Sequence, residues 1–160
     1  MAQKGASRAK GERGKGKTVA DVMVAEVVTI EPSASLTDAA RMMDQENVGM
    51  LPVVGDGRVL GVITDRDIVV RAVARGADPS ATRVQECLTA NVHLAHPDWT
   101  TDEAMKRMAD AQVGRLPVVD EGESLVGVVT LSSMAYRAPK KGDALQAAQE
   151  VSRRSSRSAA

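Results

Sequence analysis

The stretch Gly61-Val62-Ile63-Thr64-Asp65-Arg66-Asp67 is where this 160-residue chain is best equipped for ligand chemistry. A strand ending in Thr64 and turning straight into a helix leaves free N–H groups and the positive end of a dipole at the turn, which suits a phosphate. Gly61 permits a close backbone approach, and Thr64 offers a hydroxyl. Asp67, three residues on, lies on the same side of the first helical turn and can accept from two ribose hydroxyls. Val62 and Ile63 supply apolar surface for a purine. The same residues also read as a plain helix start, with Thr64 or Asp65 as N-cap and Asp67 complementing the dipole. Both readings stand at this level. A second stretch, Gly127-Val128-Val129-Thr130-Leu131-Ser132-Ser133, keeps the glycine and the threonine but puts Ser133 where Asp67 stood. Serine lacks the charge and the two-oxygen acceptor, so a second site at Val128, Thr130 and Ser133 is expected to be weak, altered or empty.

The elements that must position these residues are duplicated. Shifted by 65 positions, Val19–Val54 lies over Val84–Val119 with 12 identities in 36 positions, among them Pro32, Ala39, Met43, Gly49 and Leu51-Pro52-Val53-Val54. One extra residue in the second copy then aligns Gly61-Val62-x-Thr64 with Gly127-Val128-x-Thr130. Units of about 55 residues are marginal alone, so the two are expected to share one core about a pseudo-two-fold axis. Each copy reads β-α-β-β-α. In the first, a strand Val27–Ile30 precedes a helix capped by Ser35 with Asp38, whose buried face is Leu36, Ala39, Ala40 and Met43. Strands Val48–Val54 and Val59–Ile63 follow around the turn Gly55-Asp56-Gly57, and a helix from Thr64 to Arg75 stops at Gly76. The second copy repeats this: strand Val92–Ala95, a Thr100/Glu103 capping box, Ala104, Met105 and Met108 inward, then strands Leu116–Val119 and Leu125–Val129. Its last helix is cut short by Pro139.

In this order and with these motifs the chain resembles a tandem cystathionine-β-synthase (CBS) domain pair, or Bateman module, of the stand-alone bacterial type. The resemblance covers Val19–Tyr136 and neither tail. It implies an α+β fold with repeats over 18–76 and 84–138, a linker over 77–83, and a disc-shaped homodimer through the helical faces. It also implies an adenine nucleotide in the cleft between repeats. AMP, ADP or ATP is expected, with NAD and S-adenosylmethionine as related candidates. Thr64 and Asp67 carry the match to the family's G-h-x-T/S-x-x-D motif. Ala90 to Val92, at the entry to the second copy, would line the purine pocket. Arg115 stands where relatives often place a phosphate-contacting base; Met50 is its neutral counterpart in the first copy. Arg115 equally reads as a solvated charge at a strand edge, and Arg66 either reaches a phosphate or pairs with Asp65. Removing the Asp67 side chain is expected to weaken nucleotide binding while leaving the fold little changed.

Composition bounds the rest. The formal charge is zero, but residues 1–17 carry +5, residues 137–160 carry +4 and the body −9. The tails, 1–17 and 139–160, hold almost nothing apolar and are expected to be disordered; basic arms on an acidic body could also touch nucleic acid. A dimerising scaffold with nucleic-acid-binding arms, or a ligand-free structural protein, are therefore the competing functions. Aromatic residues are 1% of the chain, too few for a base-stacking platform. Lone Cys87 excludes an internal disulfide and suits a reducing cytosol. His93 and His96, spaced across a strand, do not converge as metal ligands, and no metal is expected. No apolar run approaches the roughly 18 residues of a membrane span, so a cytoplasmic protein is expected. No nucleophile elbow, phosphate-binding G-x-x-x-x-G-K-S/T loop or positioned triad occurs, and no enzyme activity is expected.

Overall fold

The structure, a computed structural model, describes residues 17–137, 146 and 148–152. Most of both basic tails lies outside the described residues. Within the C-terminal one, residues 148–152 form a turn of helix in which the Ser152 hydroxyl donates to Ala148 O at 2.9 Å.

The two halves build the same unit. In repeat 1, helix α2 (Leu36–Gln45) precedes the hairpin of β1 (Met50–Gly55) and β2 (Arg58–Thr64), and the chain then turns into a helical stretch, α3, over residues 65–75. Repeat 2 has α5 (Thr101–Ala111), the hairpin of β3 (Arg115–Val119) and β4 (Leu125–Thr130), and α6 (Leu131–Arg137). Both hairpins are antiparallel, and Leu51–Ile63 and Leu116–Val129 are equivalent pairs. The first hairpin turns on Asp56 and Gly57, whose φ values of 51° and 77° are the left-handed pair that a two-residue loop requires. The extra residue of repeat 2 is absorbed in its turn, where Glu123 takes φ 64° and the Asp120 carboxylate accepts from Gly122 N and Ser124 N.

Strands expected at Val27–Ile30 and Val92–Ala95 each shrink to one parallel bridge, Ile30 with Val53 and Ala95 with Val118. A proline is the reason. Ile30 N donates to Pro52 O and Ile30 O accepts from Val54 N, so the next bond inward would need an N–H from residue 52. Pro52 has none, nor has Pro117 in repeat 2, and the ladder stops.

Two short helices depart more from the sequence reading: α1 (Val19–Val22) and α4 (Val84–Cys87), each opening a repeat in the chain. They are exchanged. Val19 and Val22 are fully buried in the core of repeat 2 with Ala104, Met108, Leu116 and Val129, whereas Val84 and Cys87 are enclosed in that of repeat 1 with Leu36, Leu51 and Ile63. The exchanged segments continue onto the partner sheets, Val24 bridging Val128 and Thr89 bridging Val62. A third small cluster, Met50, Val62 and Val128 with Val27 and Val92 packed against it, lies where the repeats meet.

Helix caps fall where the sequence places them. The Ser35 hydroxyl accepts from Asp38 N at 3.1 Å and donates to the Asp38 carboxylate at 2.7 Å, a reciprocal box. Thr100 caps α5 by accepting from Glu103 N at 3.1 Å, but the Glu103 carboxylate lies 3.4 Å from the Arg107 guanidinium, so the expected second half of that box is replaced by an ion pair. Hydrogen bonds from the Ser35 side chain, then its backbone, hold the Asp38 carboxyl below its usual range. A carboxyl depressed in the folded state contributes stability above its unfolded pKa and loses it as pH falls through the folded value. Ser35→Ala should therefore cost about 1 kcal/mol at neutral pH, and the gap to wild type should narrow below about pH 4. Urea unfolding of both proteins across that range checks this; a gap that widens in acid would contradict it.

Candidate functional site

β2 delivers Thr64 to the start of α3. There the reciprocal cap that the sequence permits is fully formed. Thr64 N and the Thr64 hydroxyl both donate to one carboxylate oxygen of Asp67, at 3.0 and 2.8 Å, and Asp67 N donates back to the hydroxyl at 3.1 Å. The second carboxylate oxygen, Oδ1, lies 3.4 Å from the Arg71 guanidinium. Asp67 thus stabilises the helix start in its own right, and its removal is not neutral for the fold; a cap of this kind contributes about 1 kcal/mol. In repeat 2 Ser133 reproduces the cap with a hydroxyl: Thr130 N donates to Ser133 Oγ at 3.1 Å, Ser133 N donates to Thr130 Oγ1 at 3.0 Å, and Ser133 Oγ donates to Thr130 O. No carboxylate oxygen remains at that turn for an incoming diol.

Strand alternation separates the two residues expected to hold a purine. Val62 faces the inter-repeat cluster with Met50, Val128, Val27 and Val92. Ile63 faces the other way and is fully buried in the core of repeat 1, so its side chain does not line the cleft. Thr89 bridges Val62 through two backbone hydrogen bonds of 2.8 and 3.0 Å, which brings exposed Ala90 and half-buried Val92 to the same edge. Gly61 does allow a close approach, though by this chain itself: a Cβ there would run into Thr89 O and the Leu88 side chain. Gly127 does the same for Met23 and Val24 in repeat 2.

The two arginines are less engaged. Arg66 is exposed, and its backbone N–H, rather than its guanidinium, takes the Asp65 carboxylate at 2.7 Å. Arg115 is exposed at the start of β3, opposite Thr130 in register, as buried Met50 is opposite Thr64. The residue missed by sequence reasoning is Arg71, four positions after Asp67 and therefore on the same helical face. That spacing was the available signal.

Among the described residues no three His, Cys, Asp or Glu side chains gather to hold a metal ion. His96 instead meets Trp99 edge-on with ring centroids 5.5 Å apart, and Arg107 stacks over the Trp99 ring at 4.7 Å. Cys87 is buried, and burial pushes its thiol pKa up. No helix among the described residues is long and apolar enough to cross a membrane.

Two matches to the CBS domain model, over residues 19–73 and 84–138, coincide with the two units of the fold. The chain belongs to the CBS-domain family. It is 39% identical over 118 residues to the CBS domain-containing protein YhcV of Bacillus subtilis, a match covering 74% of this chain and 83% of that one. The crystal structure of Hypoxic Response Protein I with two coordinated zinc ions is 35% identical, with a TM-score of 0.68 over 75% of this chain and 98% of that one. The CBS domain pair of protein MJ0100, in complex with 5′-methylthioadenosine and S-adenosylmethionine, is 28% identical with a TM-score of 0.69, covering 76% of this chain and 95% of that one. The paired architecture expected from the motifs is therefore that of this CBS chain.

Proposed function

We propose that this CBS pair is a non-catalytic regulatory module that binds an adenosyl ligand between its repeats and passes the signal to a partner. The carrying observation is the capped turn at Thr64–Asp67, where a carboxylate sits beside an apolar edge made by Val62, Val92 and Ala90. A nucleoside has the matching halves, a flat apolar base and a vicinal diol. The adenosyl ligands of the MJ0100 pair support that chemical class. In this reading AMP, ADP, ATP, NAD and S-adenosylmethionine are the ligands to test. Asp67 accepts from the ribose, Thr64 holds it in place, and Arg66 and Arg115 serve phosphates. The turn at Thr130–Ser133, lacking the carboxylate, is the weaker site.

A ligand acts by favouring one arrangement of the repeats over another. Exposed Val69, Val70 and Val73 on α3 support a homodimer through a helical face.

Asp67→Asn is the sharper test than alanine, because the amide oxygen keeps the acceptor for Thr64 while the second oxygen, and the charge with it, gives way to an NH2 donor. It should weaken binding of the preferred adenosyl ligand by about 2 kcal/mol, the worth of hydrogen bonds to a charged acceptor, in isothermal titration calorimetry. A wild-type chain that binds none of the five ligands would overturn the reading. Equal affinity in Asp67→Asn would remove Asp67 from it.

A further inference from the structure

Arg71 makes contacts that its place in the sequence does not require. Its Nη1 donates to two successive carbonyls, Cys87 O at 2.8 Å and Leu88 O at 2.9 Å, while Nη2 lies 3.4 Å from Asp67 Oδ1. One guanidinium therefore ties the capped turn of repeat 1 to the end of α4. The carbonyls at a helix C-terminus have no partners within the helix, and a cation there is favoured by both hydrogen bonding and the dipole. The next residue, Thr89, pairs with Val62, and Ala90 to Val92 follow along the edge of the cleft. Arg71 itself stands in a π-helical turn, Ile68–Ala72, whose ends Ile68 and Ala72 are buried in the core of repeat 1. Such turns are rare and are frequent at functional places.

Asp67 has divided its oxygens between two tasks. Oδ2 takes both Thr64 donors, which leaves Oδ1 as the acceptor that Arg71 approaches. An incoming ribose hydroxyl would need that same oxygen. Ligand and Arg71 then bear on one atom, and the other hand of Arg71 holds the segment that joins the repeats. We propose that Arg71 is a positioning residue that couples occupancy of the repeat 1 cleft to the crossover at Cys87–Val92. The coupling rests on the reading of Asp67 as the diol acceptor; the strut to the carbonyls does not. Oδ1 has lone pairs for both the guanidinium and a hydroxyl, so occupancy tightens the crossover; coupling of this kind is reciprocal, and loosening the crossover therefore weakens the ligand. Ser133 gives repeat 2 no carboxylate, which confines the device to repeat 1.

Hydrogen exchange at the Val62 and Thr89 amides tests both parts, with Val24 and Val128, the equivalent bridge on repeat 2, as internal reference. In the ligand-free chain Arg71→Met should speed exchange at Val62 and Thr89 about tenfold, with Arg71→Lys between it and wild type and the reference pair unchanged. Adding 5′-AMP or S-adenosylmethionine at about millimolar concentration should slow exchange at Val62 and Thr89 in wild type. In Arg71→Met, binding should persist at reduced affinity while that slowing is lost. Unchanged exchange in ligand-free Arg71→Met overturns the strut. Binding with an equal slowing in Arg71→Met overturns the coupling and leaves Asp67 as diol acceptor intact. A wild-type chain that binds neither probe overturns the coupling together with that reading. Should Arg71→Met fail to fold, Arg71→Lys and Arg71→Gln carry the same comparison.

Discussion

Gly61→Ala is expected to destabilise the protein by about 3 kcal/mol, the upper range for forcing one methyl into a packed site. Gly61 has ordinary extended backbone, so the penalty is not conformational. It is spatial, because the new Cβ would meet the backbone oxygen of Thr89 and come within 2.8 Å of the Leu88 side chain. The side chain can rotate away, but the oxygen cannot. It is held by Val62 N at 3.0 Å, and Thr89 N is held by Val62 O at 2.8 Å. Relief therefore means breaking the bridge that seats the crossover on β2, with Ala90 and Val92 moving with it. Gly127→Ala is the natural control. Its Cβ would lie 2.8 Å from both Met23 Sδ and Val24 O; the thioether can yield, and Val24 O, though likewise held by Val128 N, is approached less closely than Thr89 O is at Gly61. It should cost less, about 1–2 kcal/mol. Urea unfolding followed by circular dichroism measures both. A Gly61→Ala protein as stable as wild type, or a Gly127→Ala protein that is worse, would show that close approach of the crossover is not what these glycines serve.

What could be read from the sequence was what depends on neighbours along the chain. The caps at Ser35, Thr64 and Thr100, the Asp56-Gly57 turn and the inward faces of α2 and α5, apart from Ala40, which was expected inward and is exposed, are set by residues three or four apart or by a local φ requirement. The duplication supplied the pairing of units, since two similar incomplete halves have to close on each other. Pairings that depend on distant residues were not legible. Nothing in Val27–Ile30 announces that its ladder stops, because the missing donor is Pro52, more than twenty residues away. Periodicity put Val62 and Ile63 side by side, yet alternation along β2 sends one to the cleft and the other to the core. Asp67 admitted two roles from sequence; the structure shows the capping role formed through Oδ2, and Oδ1, which takes neither Thr64 donor, is the atom left to the binding role. Four-residue α1 and α4 are too short to show a helical period, and the exchange that buries them has no local signature.

That exchange sets the largest effect expected here. Removing residues 1–24 should cost about 3–6 kcal/mol, because two valines each worth about 1.5–3 kcal/mol on full burial leave the core. In sequence those residues open repeat 1, and a reading by chain order would have repeat 1 fail. The contacts say otherwise. Val19 and Val22, both at 0% exposure, are packed with Ala104, Met105, Met108 and Met134 of repeat 2. Val19 N donates to Trp99 O at 2.8 Å, Ala20 N to Pro97 O at 3.0 Å, and Val24 shares two hydrogen bonds of 2.9 Å with Val128. The core of repeat 1 keeps its own visiting helix, α4, because Val84 and Cys87 are untouched by the deletion. A loss of this size is a large share of the 5–15 kcal/mol that stabilises an ordinary domain. Repeat 2 should therefore open first. Trp99, the single tryptophan, lies at that edge and reports it by fluorescence, and the amides of Leu51 and Ile63 report repeat 1 by hydrogen exchange. The expected result is native-like tryptophan emission lost at lower urea than protection at Leu51 and Ile63. Loss of repeat 1 first would mean that each repeat is held by its own opening segment, and the exchanged helices would then not explain how two units of marginal size become one stable pair.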